Sequence, residues 1–262
     1  KRNSFPNKDM KKIIFSLKNL KKLNVVAVKQ SLEDEGVSYD DLIVMKKITR
    51  KANLDLNVKI GGCEAKNDIY FCEWLKVKGI VAPMVESSYA LRKFLQTIPK
   101  KTNQKLYVNL ESIQAFKNIE KILKQTNIRR LTGVVIGRSD LAGSLDLEKK
   151  EVDSKKIYKL VYKTLKKIKR KKLIVKMGGS LTAKSQSFVQ DLFSKKLIDR
   201  VETRNIELKL NKNVLLNFKK IIDSIFEFEL RWLKYKQKLQ NKRKIKLKND
   251  NLERIKVLKK RF

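Results

Sequence analysis

Residues 105–145 read KLYVNLESIQAFKNIEKILKQTNIRRLTGVVIGRSDLAGSL. Two short apolar runs stand in this stretch, at 106–110 and 133–136. A carboxylate follows each of them, Glu111 after the first and Asp140 after the second. Between the runs, Ile113, Phe116, Ile119, Ile122 and Leu123 recur at helical spacing. The pattern is strand–helix–strand with an acid just beyond each strand. Parallel strands joined by a helix put both of their C-terminal ends on one face of the sheet. Glu111 and Asp140 are therefore expected in one mouth, where two hard oxygen ligands suit a divalent cation such as Mg²⁺.

Working outward, the same alternation recurs on both sides. Residues 10–23 form an amphipathic helix carrying Ile13, Ile14, Leu17 and Leu20. A short apolar strand at 25–28 is followed by a polar turn at 29–36. Ser38 caps a helix whose face carries Leu42, Met45 and Ile48. Strands are expected at 54–60, 79–85, 172–177 and 200–204, with helices at 64–77, 86–98, 154–170 and 182–197. Gly61-Gly62 ends one of these strands and Gly178-Gly179 another. A long helix starts at Asn211 and runs past Lys238. Alternating strands and helices on a regular pitch imply a parallel sheet. Their number fits a (β/α)8 TIM barrel, an α/β fold, better than an open doubly wound sheet. Seven strands are visible. The eighth lies before Lys1, within 13–17, or is absent.

The chain then divides into a barrel at 1–210, led by the helix at 1–23, and a C-terminal helix and basic tail at 211–262. The segment 218–239 carries Phe218, Ile221, Ile222, Ile225, Phe226, Phe228, Leu230, Trp232, Leu233 and Tyr235. That is more apolar surface than one helical face needs for its own barrel. A homo-oligomer, with this helix packed on a neighbouring subunit, is the expectation.

Composition excludes several chemistries. The chain has no histidine, so Ser-His-Asp and Cys-His catalysis and histidine metal sites are ruled out. No P-loop is present, and the segment 133–137 does not match a dinucleotide fingerprint. No run of 18 apolar residues and no signal peptide are seen. Cys63 and Cys72 read as free thiols of a cytoplasmic protein. The formal net charge of +37 invites a nucleic-acid reading. Lysines decorate nearly every helix rather than one face, however, so the charge is read as a lysine-rich composition, with only the tail 242–261 as an acidic-partner candidate.

In a TIM barrel the strand C-termini carry the chemistry. Here those ends supply Lys29 with Glu33 and Glu35, Lys59 before the first glycine pair, Met84 and Glu86, Glu111, the turn Gly137-Arg138-Ser139-Asp140, Lys176 before the second glycine pair, and Glu202 with Arg204. Such a mouth fits a small anionic substrate with a metal. A ring of buried ion pairs would look the same.

The run Val108-Asn-Leu-Glu111-Ser, followed by Gly133-Val-Val-Ile-Gly-Arg-Ser-Asp140-Leu-Ala-Gly-Ser-Leu145, resembles the HpcH/HpaI aldolase and citrate lyase β-subunit family, as does Gly79-Ile-Val-Ala-Pro-Met-Val-Glu86. The resemblance spans about residues 24–205. It implies a (β/α)8 barrel, a Mg²⁺ or Mn²⁺ ion held by Glu111 and Asp140, and cleavage or formation of a carbon–carbon bond beside a 2-oxo acid or an acyl-CoA thioester. The metal holds the 2-oxo-carboxylate and stabilises the enolate. Gly137, Arg138 and Ser139 would hold the substrate carboxylate through the backbone of their turn. Two departures bear on the reaction. The family's Glu-His pair has its nearest match in Glu33-Asp34-Glu35-Gly36, with Gly where the His would stand. The family's substrate arginine is matched by Lys59, which lacks the bidentate fork. The candidates for catalysis are thus Lys59, Glu35 and Lys29, with Lys59 also touching substrate. A citryl- or malyl-CoA type lyase and a barrel without turnover are the alternatives.

Overall fold

The computed structural model describes residues 7–33, 36–242 and 248–262. Its order is α1 (Asn7–Lys22), β1 (Val25–Ser31), α2 (Tyr39–Ala52), β2 (Asp55–Lys59), α3 (Lys66–Trp74), β3 (Gly79–Ala82), α4 (Ser88–Thr97), β4 (Lys105–Leu110), α5 (Ile113–Lys117), α6 (Ile119–Leu123), β5 (Gly133–Gly137), α7 (Arg138–Gly143), α8 (Lys155–Lys169), β6 (Ile174–Gly178), α9 (Gln186–Ser194), β7 (Arg200–Glu202), β8 (Ile206–Lys209), α10 (Lys212–Leu216), α11 (Phe218–Lys242) and α12 (Lys248–Lys259). The strands close into a barrel in sequence order, β1 to β8. Serine and asparagine side chains start many of the helices: Ser38, Ser87, Ser112, Ser154 and Asn211 each accept a bond from a first-turn N–H.

The eighth strand is present, and it lies in neither of the two places expected of it. Residues 13–17 belong to α1. The closing strand is β8, which a three-residue turn, Thr203-Arg204-Asn205, joins directly to β7. A turn this short cannot carry a crossover, so β8 runs antiparallel to both neighbours. Val201 pairs with Leu208 on one side and Val28 with Ile206 on the other. Four residues without a helix after β7 gave no βα signal in the sequence.

Apolar side chains between the strands and the helices form one continuous core. The inside of the barrel is different. Its apolar residues are Val81, Tyr107 and Val135, a separate cluster. Around them runs a chain of charges: Lys29 Nζ lies 3.0 Å from Glu202, Lys176 Nζ lies 3.4 Å from Glu202 and 2.5 Å from Glu207, and Arg200 also pairs with Glu207. Asn57 donates to Glu207 at 2.7 Å, and the Lys176 ammonium sits 3.5 Å from the centre of the Tyr107 ring. Buried charges persist only when paired in this way. The sequence reading set Lys29 and Lys176 at strand ends. Both instead point inward from within β1 and β6.

The C-terminal segment also differs from a single long helix. It breaks at Asn217, where the backbone leaves helical angles (φ −106°, ψ 19°). The apolar face of α11 is covered by the chain itself. Phe218, Ile222, Ile225, Phe226, Phe228, Trp232, Leu233 and Tyr235 are all buried, chiefly against α1 and α12. The basic tail folds back as well: Ile255 and Leu258 are buried, and the Phe262 ring meets Phe226 edge-on at 6.0 Å. Among the described residues no helix is long and apolar enough to cross a membrane. Both cysteines are free.

Candidate active site

Glu111 is fixed on both sides. It follows the last residue of β4, and the next residue, Ser112, caps α5. Its buried carboxylate accepts the Met84 backbone N–H at 3.1 Å and the Asn109 side-chain amide at 2.9 Å. Met84 adopts a left-handed conformation, φ 47°, which a residue with a side chain takes at a cost and which here aims its N–H at the carboxylate. Gly137 supplies the opposite wall. A Cβ there would stand 2.5 Å from Glu111 Oε2, so the acid packs against bare backbone. Burial pushes the Glu111 pKa up, Lys59 pulls it down, and Asp140 pushes it up again, so that it rests above the ordinary carboxylate range.

Asp140 lies in the first turn of α7 and is exposed to the cavity that Glu111 enters. The two acids are thus brought to one place, as the strand–helix–strand pattern required. The Asp140 charge is one of the causes that raise the Glu111 pKa, and two acids on one cavity make a donor set that a hard divalent cation would satisfy. Among the described residues no third His, Cys, Asp or Glu joins them as a ready cage. An ion held here would take its remaining ligands from substrate and water oxygens.

Lys59 faces the same cavity from the end of β2. Its ammonium lies 2.7 Å from Glu33 and 3.9 Å from Glu111. Burial would lower its pKa, but Glu111 and Glu33 outweigh that and hold it above the usual lysine value. Its two carboxylate partners favour the protonated ammonium. Lys29 lines the cavity too and is tied to Glu202. Glu35 lies outside the described residues, whereas Glu33 is on the cavity wall.

Arg138 was expected to meet the substrate through its backbone, and its side chain has a separate task. Its side chain is wholly buried and turned away from the mouth. The guanidinium pairs with Asp153, donates to the carbonyls of Gly178 at 3.1 Å and Gly179 at 3.0 Å, and lies over the Phe188 ring. Every direction of its fork is committed to holding the second glycine turn. Gly179 is the other half of that arrangement. Its φ is +84°, and a Cβ would come within 2.4 Å of the backbone nitrogens of both Arg138 and Ser139. The Ser139 and Ser180 hydroxyls are bonded at 2.8 Å across the same junction. Gly179→Ala should therefore lower stability by about 1–3 kcal/mol, from the left-handed backbone and the contact together. Chemical denaturation would measure it.

These walls enclose a cavity of about 480 Å³, with Gly137, Ser139, Glu111, Asp140, Lys59 and Lys29 on its surface. Residues not singled out from the sequence join them. Asn109 is one, and its buried Oδ1 has no hydrogen-bond partner. It sits two residues before Glu111 on the inward face of β4, so strand alternation alone could have found it. Arg261 and Lys149 also line the cavity. They come from segments outside the βα pattern, and nothing in their spacing marked them.

Residues 58–178 match the family described as HpcH/HpaI aldolase/citrate lyase. Solved structures share the fold. An HpcH/HpaI aldolase from Desulfitobacterium hafniense DCB-2 superposes with a TM-score of 0.59 at 12% identity, over 82% of this chain and 88% of that one. An HpcH/HpaI aldolase/citrate lyase family protein from Burkholderia cenocepacia J2315 gives 0.60 at 11% identity, over 82% and 90%. The citrate synthase SbnG gives 0.57 at 12% identity, over 68% and 78%. No curated protein sequence matches.

Proposed function

From the premise that residues 58–178 are of the HpcH/HpaI aldolase/citrate lyase type, we propose that the protein is a carbon–carbon lyase that handles a small 2-oxo acid at the mouth of the barrel. The observation that carries this reading is the pairing of buried Glu111 with Asp140 on one cavity, beside the fixed cation Lys59. Glu111 and Asp140 would hold Mg²⁺ or Mn²⁺, which when bound polarises the 2-oxo group as a Lewis acid. The backbone of the Gly137–Ser139 turn, held tight by Gly179, is suited to the substrate carboxylate. Lys59 faces the oxygen on which negative charge develops as the carbon–carbon bond breaks, and a positioned cation stabilises that charge. Because Lys59 is held protonated, the proton acceptor must be another group. Glu33, bonded to Lys59 at 2.7 Å on the cavity wall, is suited to that role. The citryl-CoA alternative has no separate observation in its favour.

Exchange of deuterium from solvent into the methyl group of pyruvate tests this directly, since it reports proton removal without needing the second substrate. Exchange should require a divalent ion. Lys59→Met should slow it about 100-fold or more, the usual loss for one positioned donor. Wild-type protein that shows no exchange with Mg²⁺ or Mn²⁺ would overturn the lyase reading.

A further inference from the structure

Lysines are spread over nearly every helix, but the acids are not. On the outside of the barrel α6 packs between α4 and α8. Helices α4 and α8 hold no aspartate or glutamate, and α6 holds one, Glu120. Elsewhere α2 carries Asp40 and Asp41, α3 carries Asp68 and Glu73, and α9 carries Asp191. Glu120 is already committed. Its carboxylate lies 2.7 Å from Lys167 of α8, and that bond first, then the charges of Lys124 and Arg170, lower its pKa. Lys163 and Arg170 are exposed and share the Lys167 side of α8 by helical spacing. One flank of the barrel therefore presents a field of a single sign. A cavity of about 230 Å³ opens in it, walled by Ser88 and Tyr89 with Arg92, Lys121, Lys124 and Gln125, and by no carboxylate. Among the described residues no carboxylate pairs with Arg92, Lys121 or Lys124. The Arg92 guanidinium lies 5.0 Å from the centre of the Tyr89 ring, which is 58% exposed.

We propose that this flank binds the phosphate backbone of a single-stranded nucleic acid, with the cavity beside Tyr89 as the seat of one phosphate and the Tyr89 ring as the face on which a neighbouring base stacks. Three like charges around one hollow repel each other, and a phosphate between them removes that repulsion. Arginine suits the seat because its planar fork meets a phosphate with two parallel bonds. Lys163, Lys167 and Arg170 continue the same sign across to α8, where further phosphates of an extended strand would lie. An exposed aromatic ring beside such a track is what single strands use, since only an unpaired base can turn its face to it. The flank fits a membrane surface less well, because binding there needs apolar anchors as well as charge. The large apolar side chains most exposed to solvent among the described residues, Phe15, Trp74 and Leu216, stand on α1, α3 and α10. The site shares no lining residue with the cavity at the barrel mouth, so it stands whether or not the lyase reading does.

Total charge alone would give some binding, so the test compares two variants of equal net charge. One carries Arg92→Glu, Lys121→Glu and Lys124→Glu. The other carries Lys11→Glu, Lys18→Glu and Lys22→Glu, three exposed lysines of α1. Fluorescence anisotropy with a labelled thymidine oligonucleotide of about 12 nucleotides reads affinity between about 50 and 200 mM salt, and thermal melts check that both variants fold. Each phosphate contact on a single strand contributes about 0.7 to the slope of log affinity against log salt. The flank variant should therefore lose about 2 from that slope, with at least about tenfold in affinity at the lower salt, while the α1 variant keeps the wild-type slope. Tyr89→Ala leaves the charge unchanged and should weaken oligonucleotide binding about fivefold or more, the worth of one stacked base. Equal losses in the two triple variants would overturn the proposal, as would Tyr89→Ala that binds like wild type. Wild type that binds vesicles of anionic lipid, and not the oligonucleotide at low salt, would overturn it in favour of a membrane surface.

Discussion

Glu111→Gln should bind Mg²⁺ or Mn²⁺ at least about 100-fold more weakly than wild type, and should lose pyruvate exchange with it. Losing even the outer partners of a metal ligand costs 10- to 100-fold in affinity, and here a ligand itself is removed. The same variant should fold as well as wild type or better when no metal is added. Glu111 sits above the ordinary carboxylate range because of burial first. An acid with a raised pKa binds more protons folded than unfolded, so its charge costs stability as pH rises past its unfolded value. Glutamine keeps the shape and carries no charge. Calorimetric titration with Mn²⁺ and a thermal melt in chelator would read both effects. A large fall in melting temperature with unchanged metal affinity would show that Glu111 only supports the barrel.

Glu202→Gln should have the opposite signature, a loss of about 3 kcal/mol at neutral pH, at the low end for breaking a buried ion pair. Glu202 is buried between Lys29 and Lys176. Burial alone would raise its pKa, but the two lysines outweigh it and hold it below the ordinary glutamate value. A depressed acid binds fewer protons folded than unfolded, so its contribution is present above about pH 4.5 and disappears as pH falls through the depressed value. The stability gap between wild type and Glu202→Gln should therefore close on acidification. The lower end of the expected loss applies because Lys176 keeps Glu207 and the Lys29 side chain, 17% exposed, can reach water. Urea titrations at pH 7 and pH 4 would measure the gap, and a gap independent of pH would contradict the linkage.

The parts legible in the sequence are those where one residue type can do only one thing. An apolar run ending in an acid fixed β4 with Glu111, and the next unit fixed β5 with Asp140, because strand polarity leaves no other place for those side chains. The glycine at 179 reads the same way once its backbone angle is seen. What could not be read were choices between partners. Arg138 stands one residue past a strand end, where an arginine can face either a ligand or the neighbouring turn. Asp153, two carbonyls and Phe188 decide it, and they come from positions 15 to 50 residues further along the chain. Lys29 and Lys176 gave no sign of lying inside the barrel, since their partners Glu202 and Glu207 belong to a hairpin that the βα pattern hid. The apolar wealth of α11 was visible, but its covering by α1 and α12 was not.

The reversed direction of β8 has a consequence for how this scaffold can change. A strand that ran with its neighbours would release the chain at the mouth. β8 releases it at the opposite end, and α11, 25 residues and about 37 Å long, brings it back up. α12 packs on α11, and Arg261 just beyond α12 lines the cavity at the mouth. Rewriting residues 252–262 would alter one wall of the cavity, to which Arg261 contributes, while the strands, the paired acids and the glycine turns stay untouched.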